Sequence, residues 1–374
     1  MAFPLPVTKT ANSKPAIMQI WEMINLGSRL VATPNDYAIY HLYEQGKTPQ
    51  DALRFLSGPR ADDLCTSLNS EPQMLEDKVR YDAHYTALNL PVPQTLALVG
   101  AATKTAHLRL NTEAEIEGFL TDRIQSGDHL VIKEVAGIQG VGVLVIVDLI
   151  TVEGRQFLVL SNGTTRNLAK TAAELLKGGT WMIQVRLKQH ETLGSLNSTS
   201  LNTIRVGTFL NRDGTVDIDY AVLRIGRAYS QIDSYGGGGV AVRVDLDTGQ
   251  LSKLGQQKLK YSREQISEHP DSGIAFRDIR IPFWDEVRSL AKQFASNAGK
   301  NRFIGWDVSI TPDGPVFVEG NHDWGAHLAQ VGAVGLLSDS FITRLHQETG
   351  LKISATEMPS PQPLRAIRLL RSAQ

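Results

Sequence analysis

The sequence predicts a mixed α+β fold, and three observations carry that prediction. Apolar runs rich in valine and isoleucine at 129–135, 141–150, 155–162 and 180–187 read as strands, and a second set follows at 203–210, 215–225 and 240–247. Helical periodicity flanks and interrupts both sets, at 75–88, 112–124, 170–177, 282–298 and 328–348. Between the sets lies LGSLNSTSLN (193–202), whose serines and asparagines mark a joint and the expected hinge.

Each element has its own reason. Residues 1–75 read as helical and polar, with interruptions at Pro34, Pro49 and Pro59, where the ring removes a backbone donor. NLPVPQTLALV (89–99) reads as a turn followed by a short strand, and the helix from Thr112 to Ile124 opens with a capping pair. The tail after Ser354 contains prolines and is expected to be loosely held. The chain divides into stretches 1–75, 76–124, 125–192 and 193–374, and 374 residues suffice for two or three subdomains.

Composition narrows the function classes. With 42% hydrophobic and 21% charged residues the chain is ordinary for a globular protein. A formal net charge of −1 gives no general attraction to nucleic acid or to anionic membranes. The longest apolar run, Val141–Ile150, is broken by Asp148 and is too short to span a bilayer. The start MAFPLPVTKTANSK lacks a basic segment followed by a hydrophobic one, so a cytoplasmic location is expected. Cys65 is the only cysteine, which excludes an internal disulfide and a cysteine-rich metal site.

WDVSITPDGPVFVEGN (306–321) poses a problem in electrostatics. It reads as a hairpin with a three-residue Pro-Asp-Gly loop, which sets Thr311 opposite Pro315 and Asp307 opposite Glu319, with Asn321 on the same face. Like charges directly opposed destabilise a strand pair. Either that face is merely hydrated, or three oxygen-bearing side chains converge on a hard divalent cation, which turns repulsion into attraction. Magnesium takes few protein carboxylates and fills its shell with water and phosphate oxygens, so a nucleotide is the implied partner.

Other segments can carry chemistry too. In HLVIKEVAGIQGVGVLVIVD (129–148), Lys133 ends a strand and Gly137, Gly140 and Gly142 form a loop before the next strand. That is either a plain β-hairpin or a small-residue cover for phosphate with a lysine charge beside it. No Gly-Lys-Ser/Thr follows, and the next element is not a helix, so neither a Walker A loop nor a Rossmann fingerprint is present. Thr203 and Arg205 share one strand face, and Arg224 lies on an otherwise apolar strand. An arginine there needs a partner: a ligand carboxylate or phosphate, or an internal acid such as Asp217 or Asp219. YGGGGVAV (235–242) reads as a substrate-facing loop or a connector, while His322, Asp323 and His327 lack a metalloprotease pattern and read as polar surface. Nothing in the sequence activates Cys65.

Taken in order, DKVRYDAHYTALNLPVPQT (77–95), VIKEVAGIQGVGV (131–143), WMIQVRLKQHETL (181–193), SLNTIRVGTF (200–209), RIGRAYSQIDSYGGGG (224–239), HPDSG (269–273) and GWDVSITPDGPVFVEGNHDWG (305–325) resemble the ATP-grasp superfamily, specifically its sugar-transfer-associated group. The resemblance implies an ATP-grasp fold: two α+β subdomains clasping ATP, with residues 1–75 as a helical extension, 76–124 as the first part of the core, 125–192 as the lid and 193–374 as the subdomain with metal and substrate sites. It implies that Lys78 and Lys133 touch nucleotide phosphates, that the glycine loop with Gly140 covers them, and that the backbone after Gln184, around Val185–Leu187, holds adenine. Glu191 matches the ribose acid, and Asp307, Glu319 and Asn321 match the magnesium ligands. Two positions depart from the pattern: Gln184 stands where an acid is usual, and Gly305 where D-alanine ligases carry an arginine. Arg205 or Arg224 would then supply that charge.

The implied function is an ATP-dependent ligase that joins a carboxylate to an amine through an acyl phosphate and releases ADP and phosphate. ATP and magnesium, as two ions with manganese as a substitute, are the implied cofactors. Small-molecule substrates, a sugar acid or an amino acid with an amine, are the implied partners, and a homodimer is compatible. Two alternatives stay open: a kinase phosphorylating a hydroxyl, and a non-catalytic nucleotide-binding protein.

Overall fold

Two sheets carry the architecture. The computed structural model describes residues 7–100, 106–137, 142–262, 264–351, 353–354, 357 and 359–360. The first sheet contains β1 (Thr95–Val99), β2 (Leu108–Leu110), β3 (Leu130–Glu134), β4 (Leu144–Val152), β5 (Arg155–Leu160), β6 (Thr165–Asn167) and β7 (Trp181–Val185), in the order β2-β1-β7-β3-β4-β5-β6. Its β1 pairs antiparallel with β7, so one sheet crosses the division drawn at residue 124. Helices Glu113–Gln125 and Leu168–Lys177 bury Ile116, Leu120, Ala172 and Leu175 against it. Thr112 caps the first of them, with Glu115 reaching back to complete the capping box.

The second sheet contains β8 (Thr203–Leu210), β9 (Val216–Ile225), β10 (Val240–Val244), β11 (Leu251–Gln256), β12 (Phe303–Thr311) and β13 (Gly314–Asn321), in the order β11-β10-β9-β8-β12-β13. All of β12 and nearly all of β8 is buried, because both faces are covered. On one face, Ile204, Val206, Trp306 and Val308 meet helix Trp284–Ser296 through Val287, Ala291 and Phe294. The other face changes character along the strands. At one end Phe209, Tyr220 and Phe303 pack with Trp324 and Phe341, while towards the other end Arg205, Thr203, Arg224 and Asp307 replace them. A buried face that turns from aromatic to charged has to pair its charges.

Four sequence expectations change. The prolines of the N-terminal region start helical turns instead of ending them: Pro34, Pro49 and Pro59 all sit in the first turn of Pro34–Ile39, Pro49–Arg54 and Gly58–Leu68, where no intrahelical donor is needed. The region is not simply polar, since Met23, Leu26, Tyr37, Tyr40, Leu53 and Phe55 form a core of their own. The helix expected over 328–348 is split into Ala326–Ala329 and Asp339–Thr349. Between them the fully buried Gln330 accepts from the Leu56 N–H (2.8 Å) and donates to Tyr40 Oη (2.8 Å) and the Leu56 carbonyl (2.9 Å), so this backbone is fitted to a side-chain anchor. The expected hinge, 193–202, is a compact knot: Asn202 donates to the Leu193 and Asn197 carbonyls (2.9 and 3.0 Å) and accepts from the Gly226 N–H (3.1 Å).

Candidate active site

The β12–β13 ribbon reaches the expected juxtaposition by an unexpected route. Thr311 pairs with Gly314 and Ile310 with Pro315, so the turn has two residues, Pro312 and Asp313, where three were expected. The Thr311 hydroxyl accepts from the Asp313 N–H (3.2 Å) and donates to the Gly314 carbonyl (2.8 Å), which closes the shorter turn. That register alone would place Asp307 opposite Val318. A β-bulge intervenes: Val308 pairs with Phe317 but Asp307 with Glu319, leaving Val318 as the extra residue. The bulge restores the facing acids.

Asp307 does not stand as a bare charge. It is 2% exposed, and both its oxygens are taken by arginines. Arg205, its direct neighbour on β8, donates from Nε to Oδ1 and from NH2 to Oδ2 (3.3 Å), while Arg224 on β9 donates to Oδ2 (2.7 Å). Burial pushes the Asp307 carboxyl up, but the two guanidinium groups outweigh it and hold the group below the usual range. Glu319 moves the other way: burial and then the Asp307 charge raise it, with Lys133 and Lys78 offsetting in part. The opposed acids thus differ in environment, one ionised under arginine and one raised. The internal partners considered for the arginines, Asp217 and Asp219, instead hold Arg344, so neither is available.

Gly305 accounts for the missing arginine two positions before Asp307. A Cβ there would lie 2.8 Å from Arg205 Cδ and 3.1 Å from Trp324 Cα. The bare backbone is the channel through which Arg205 crosses from the neighbouring strand to Asp307, with NH1 on the Trp324 carbonyl (3.2 Å). Asn321, opposite Gly305, donates its amide to the Gly305 carbonyl (3.3 Å), and its side-chain oxygen has no donor among the described residues.

Two lysines approach the site, Lys133 from β3 of the first sheet and Lys78 from a helix. Lys133 is 8% exposed, and its pKa falls to about 8, from burial first and then from Lys78, against the pull of Glu319 and Asp82. Lys78, at the start of helix Lys78–Ala87, donates to the Val135 and Gly137 carbonyls (3.2 and 2.5 Å) and so ties that helix to the base of the glycine loop. Gly140 lies outside the described residues. Gln184 is buried in β7 and donates to Thr95 Oγ1 (3.0 Å), whose hydroxyl donates to Asp82 (3.0 Å). The Val185 and Arg186 N–H groups are spent on the Gln94 and His129 carbonyls (3.0 and 2.8 Å). Leu187 has the first backbone N–H of this run with no acceptor among the described residues. Glu191 is exposed at the first residue of helix Glu191–Gly194.

Sequence reasoning missed Asp233. It is buried, accepts from the Thr203 N–H and hydroxyl (2.8 and 2.5 Å), and lies 3.5 Å from Arg224 Nε. The only signal was Arg224 itself, a buried cation in search of an acid. The YGGGG run is a connector with a steric demand: a Cβ on Gly239 would meet the Ile225, Asp233 and Ser234 carbonyls at 2.8–3.0 Å. His322 pairs with Glu76 and His327 with Asp36, and among the described residues no group of three His, Cys, Asp or Glu could hold a metal. Burial pushes the Cys65 thiol up to about 12, so it is inert.

Against this geometry, Glu319 and Asn321 fit a hard cation as oxygen donors, and Lys133, Lys78 and the Leu187 N–H fit a nucleotide. Asp307 as arranged does not fit a cation, because its oxygens already face guanidinium hydrogens.

The chain belongs to the sugar-transfer associated ATP-grasp family, whose profile matches residues 60–342. No match was found among curated proteins. Solved structures similar to it include a biotin carboxylase from Campylobacter jejuni in complex with an ATP analogue, at 12% identity over 72% of this chain and 48% of that one, TM-score 0.39. A peptide-associated ATP-grasp ligase from Chryseobacterium gregarium, in complex with ADP and a leader and core peptide, shows 11% identity over 81% and 71%, TM-score 0.39. D-alanyl-alanine synthetase A from Vibrio cholerae shows 11% over 74% and 61%, TM-score 0.35. The chain thus spans about half the length of the biotin carboxylase. No helix among the described residues is long and apolar enough to cross a membrane.

Proposed function

We propose that this chain is an ATP-dependent ligase that activates a carboxylate as its acyl phosphate and passes the acyl group to an amine. The observation that carries the reading is the charge cluster at the junction of the two sheets. Arg205 and Arg224 converge from adjacent strands upon Asp307, beside Glu319, whose charge is felt by Lys133 of β3 and by Lys78 of helix Lys78–Ala87. Four cations gather there with the acids Asp307, Glu319 and Asp233, and guanidinium and ammonium groups brought to one place suit a polyanionic substrate that can displace those carboxylates.

Each residue has a proposed task. Lys133 and Lys78 bind the phosphates, and the Leu187 N–H meets the adenine edge, with Glu191 near the ribose. Arg205 and Arg224 stabilise charge on the transferring phosphoryl oxygens and orient the acid substrate. Glu319 and Asn321 would hold magnesium, which when bound neutralises charge on the phosphates. Residues 125–192 would act as a lid that excludes water, since an acyl phosphate hydrolyses if water reaches it. The acid is a sugar acid or an amino acid.

The test is a panel of acid–amine pairs assayed for ADP formation, with the product weighed by mass spectrometry. A ligase needs both substrates for sustained ADP release and yields a condensed product. A stable phosphorylated product from one acceptor would make it a kinase. Nucleotide binding without turnover across the whole panel would reduce it to a binding protein.

A further inference from the structure

Arg224 sits between two acids and belongs fully to neither. Its NH2 donates to Asp307 (2.7 Å) and to Thr203 Oγ1 (2.6 Å), and its Nε lies 3.2 Å from the same hydroxyl and 3.5 Å from Asp233. Asp233 is anchored independently of the arginine by the Thr203 N–H and hydroxyl. Asp307 has no such fixed donor of its own kind: its partners are the two arginines and the neighbouring Glu319. One acid is therefore bolted to the backbone of β8, and the other is held only by movable side chains.

We propose that Asp307 is an exchangeable counter-ion and Asp233 a permanent one. In the ligand-free protein Asp307 stands in for the incoming anion by occupying both arginines. When a phosphate-bearing ligand takes the guanidinium groups, Asp233 and Thr203 keep Arg224 in the site, and the released Asp307 carboxylate becomes available to a cation. Cation capture is thereby made conditional on nucleotide, through a positioning residue, Asp233, that touches neither. Arg205 has its own tether in the Trp324 carbonyl, so both arginines stay in place through the exchange. The idea rests on the nucleotide-binding part of the proposed function but not on its choice of acid and amine.

Binding measurements on the full chain test it, with manganese as the probe, followed by the electron paramagnetic resonance signal of free ion, alone and with ADP. The wild-type protein is expected to bind manganese alone at least about tenfold more weakly than with ADP, the size of one charged hydrogen bond. Arg224→Gln should narrow that gap by strengthening binding of manganese alone, because Asp307 loses a jailer. Asp233→Asn should weaken manganese binding in the presence of ADP by about tenfold, since Arg224 then stays on Asp307. Asp233→Glu should restore most of it. In the Arg224→Gln background Asp233→Asn should do nothing more, which a merely structural aspartate would not obey. Thr203→Val, which removes the hydroxyl shared by both groups, serves as a second probe should the Asp233 variant fail a melting check. Equal manganese affinity with and without ADP in the wild type, or an Asp233 effect that persists undiminished without Arg224, overturns the proposal. Conditional manganese binding that Arg224→Gln narrows and Asp233→Asn weakens, with no turnover of any acid–amine pair, supports it and removes only the ligase reading.

Discussion

Lys14–Glu22 in the N-terminal region and Arg205–Asp307 in the second sheet are ion pairs of similar burial, with side-chain exposures of 6% and 6% in one and 8% and 3% in the other. Their surroundings differ. Lys14 donates to Glu22 (2.7 Å) and the Leu42 carbonyl (2.8 Å), and Tyr37 donates to the same Glu22 oxygen (2.6 Å). One cation meets one acid, and the remaining bonds go to neutral groups that cannot leave. Around Asp307 a second arginine competes for the same carboxylate, a second acid competes for that arginine, and a further glutamate faces two lysines. A closed pair holds a fold together, whereas a pair with rival partners can exchange them. Burial alone does not tell the two apart; the number of rivals does.

The comparison breaks or sharpens under four substitutions. Lys14→Met should have the largest effect on stability, lowering it by about 3–5 kcal/mol in denaturant unfolding, because Glu22 is left buried without its counter-ion. An unchanged midpoint would remove the distinction. Glu319→Gln should do the reverse: ADP formation falls about a hundredfold or more, while the unfolding midpoint holds or rises, since a like charge beside Asp307 is gone. Unimpaired turnover would remove Glu319 from the site. Gly305→Ala should cost about 1–3 kcal/mol by overpacking. It should also weaken the ADP-induced thermal shift, because Arg205 can no longer cross the backbone; a normal shift would mean another path for that side chain.

The smallest effect concerns Arg344, which serves Asp217 (2.8 Å) and Asp219 at once. Burial pushes Asp219 up to about 6 in spite of Arg344. A raised acid binds protons more readily folded than unfolded, so its contribution to stability falls as pH rises from about 4 to about 6. Asp219→Asn should remove that fall, about 3 kcal/mol, from the pH dependence of the unfolding midpoint. A pH profile identical to wild type would show that Asp219 is ionised throughout.

The facing of Asp307 and Glu319, with Asn321 two residues on, was legible in the sequence, although the expected turn was one residue too long and the bulge at Val318 makes up the difference. Ownership of those groups was not visible. Arg205 and Arg224 reach Asp307 across strands about a hundred residues away in the chain, and no local pattern says which acid they choose. Asp233 was hidden because SQIDS reads as an ordinary polar turn. The first-turn prolines misled for a local reason: the same ring that breaks a helix interior suits its beginning. Gln330 split an expected helix through contacts to Tyr40 and Leu56, far upstream.

Val318 has one more consequence. As a slack residue between the ribbon's tip and its acids, it takes up a length mismatch at Pro312–Asp313 before it reaches Asp307 and Glu319. A turn one residue shorter than that alignment needs therefore still leaves the two carboxylates opposite each other.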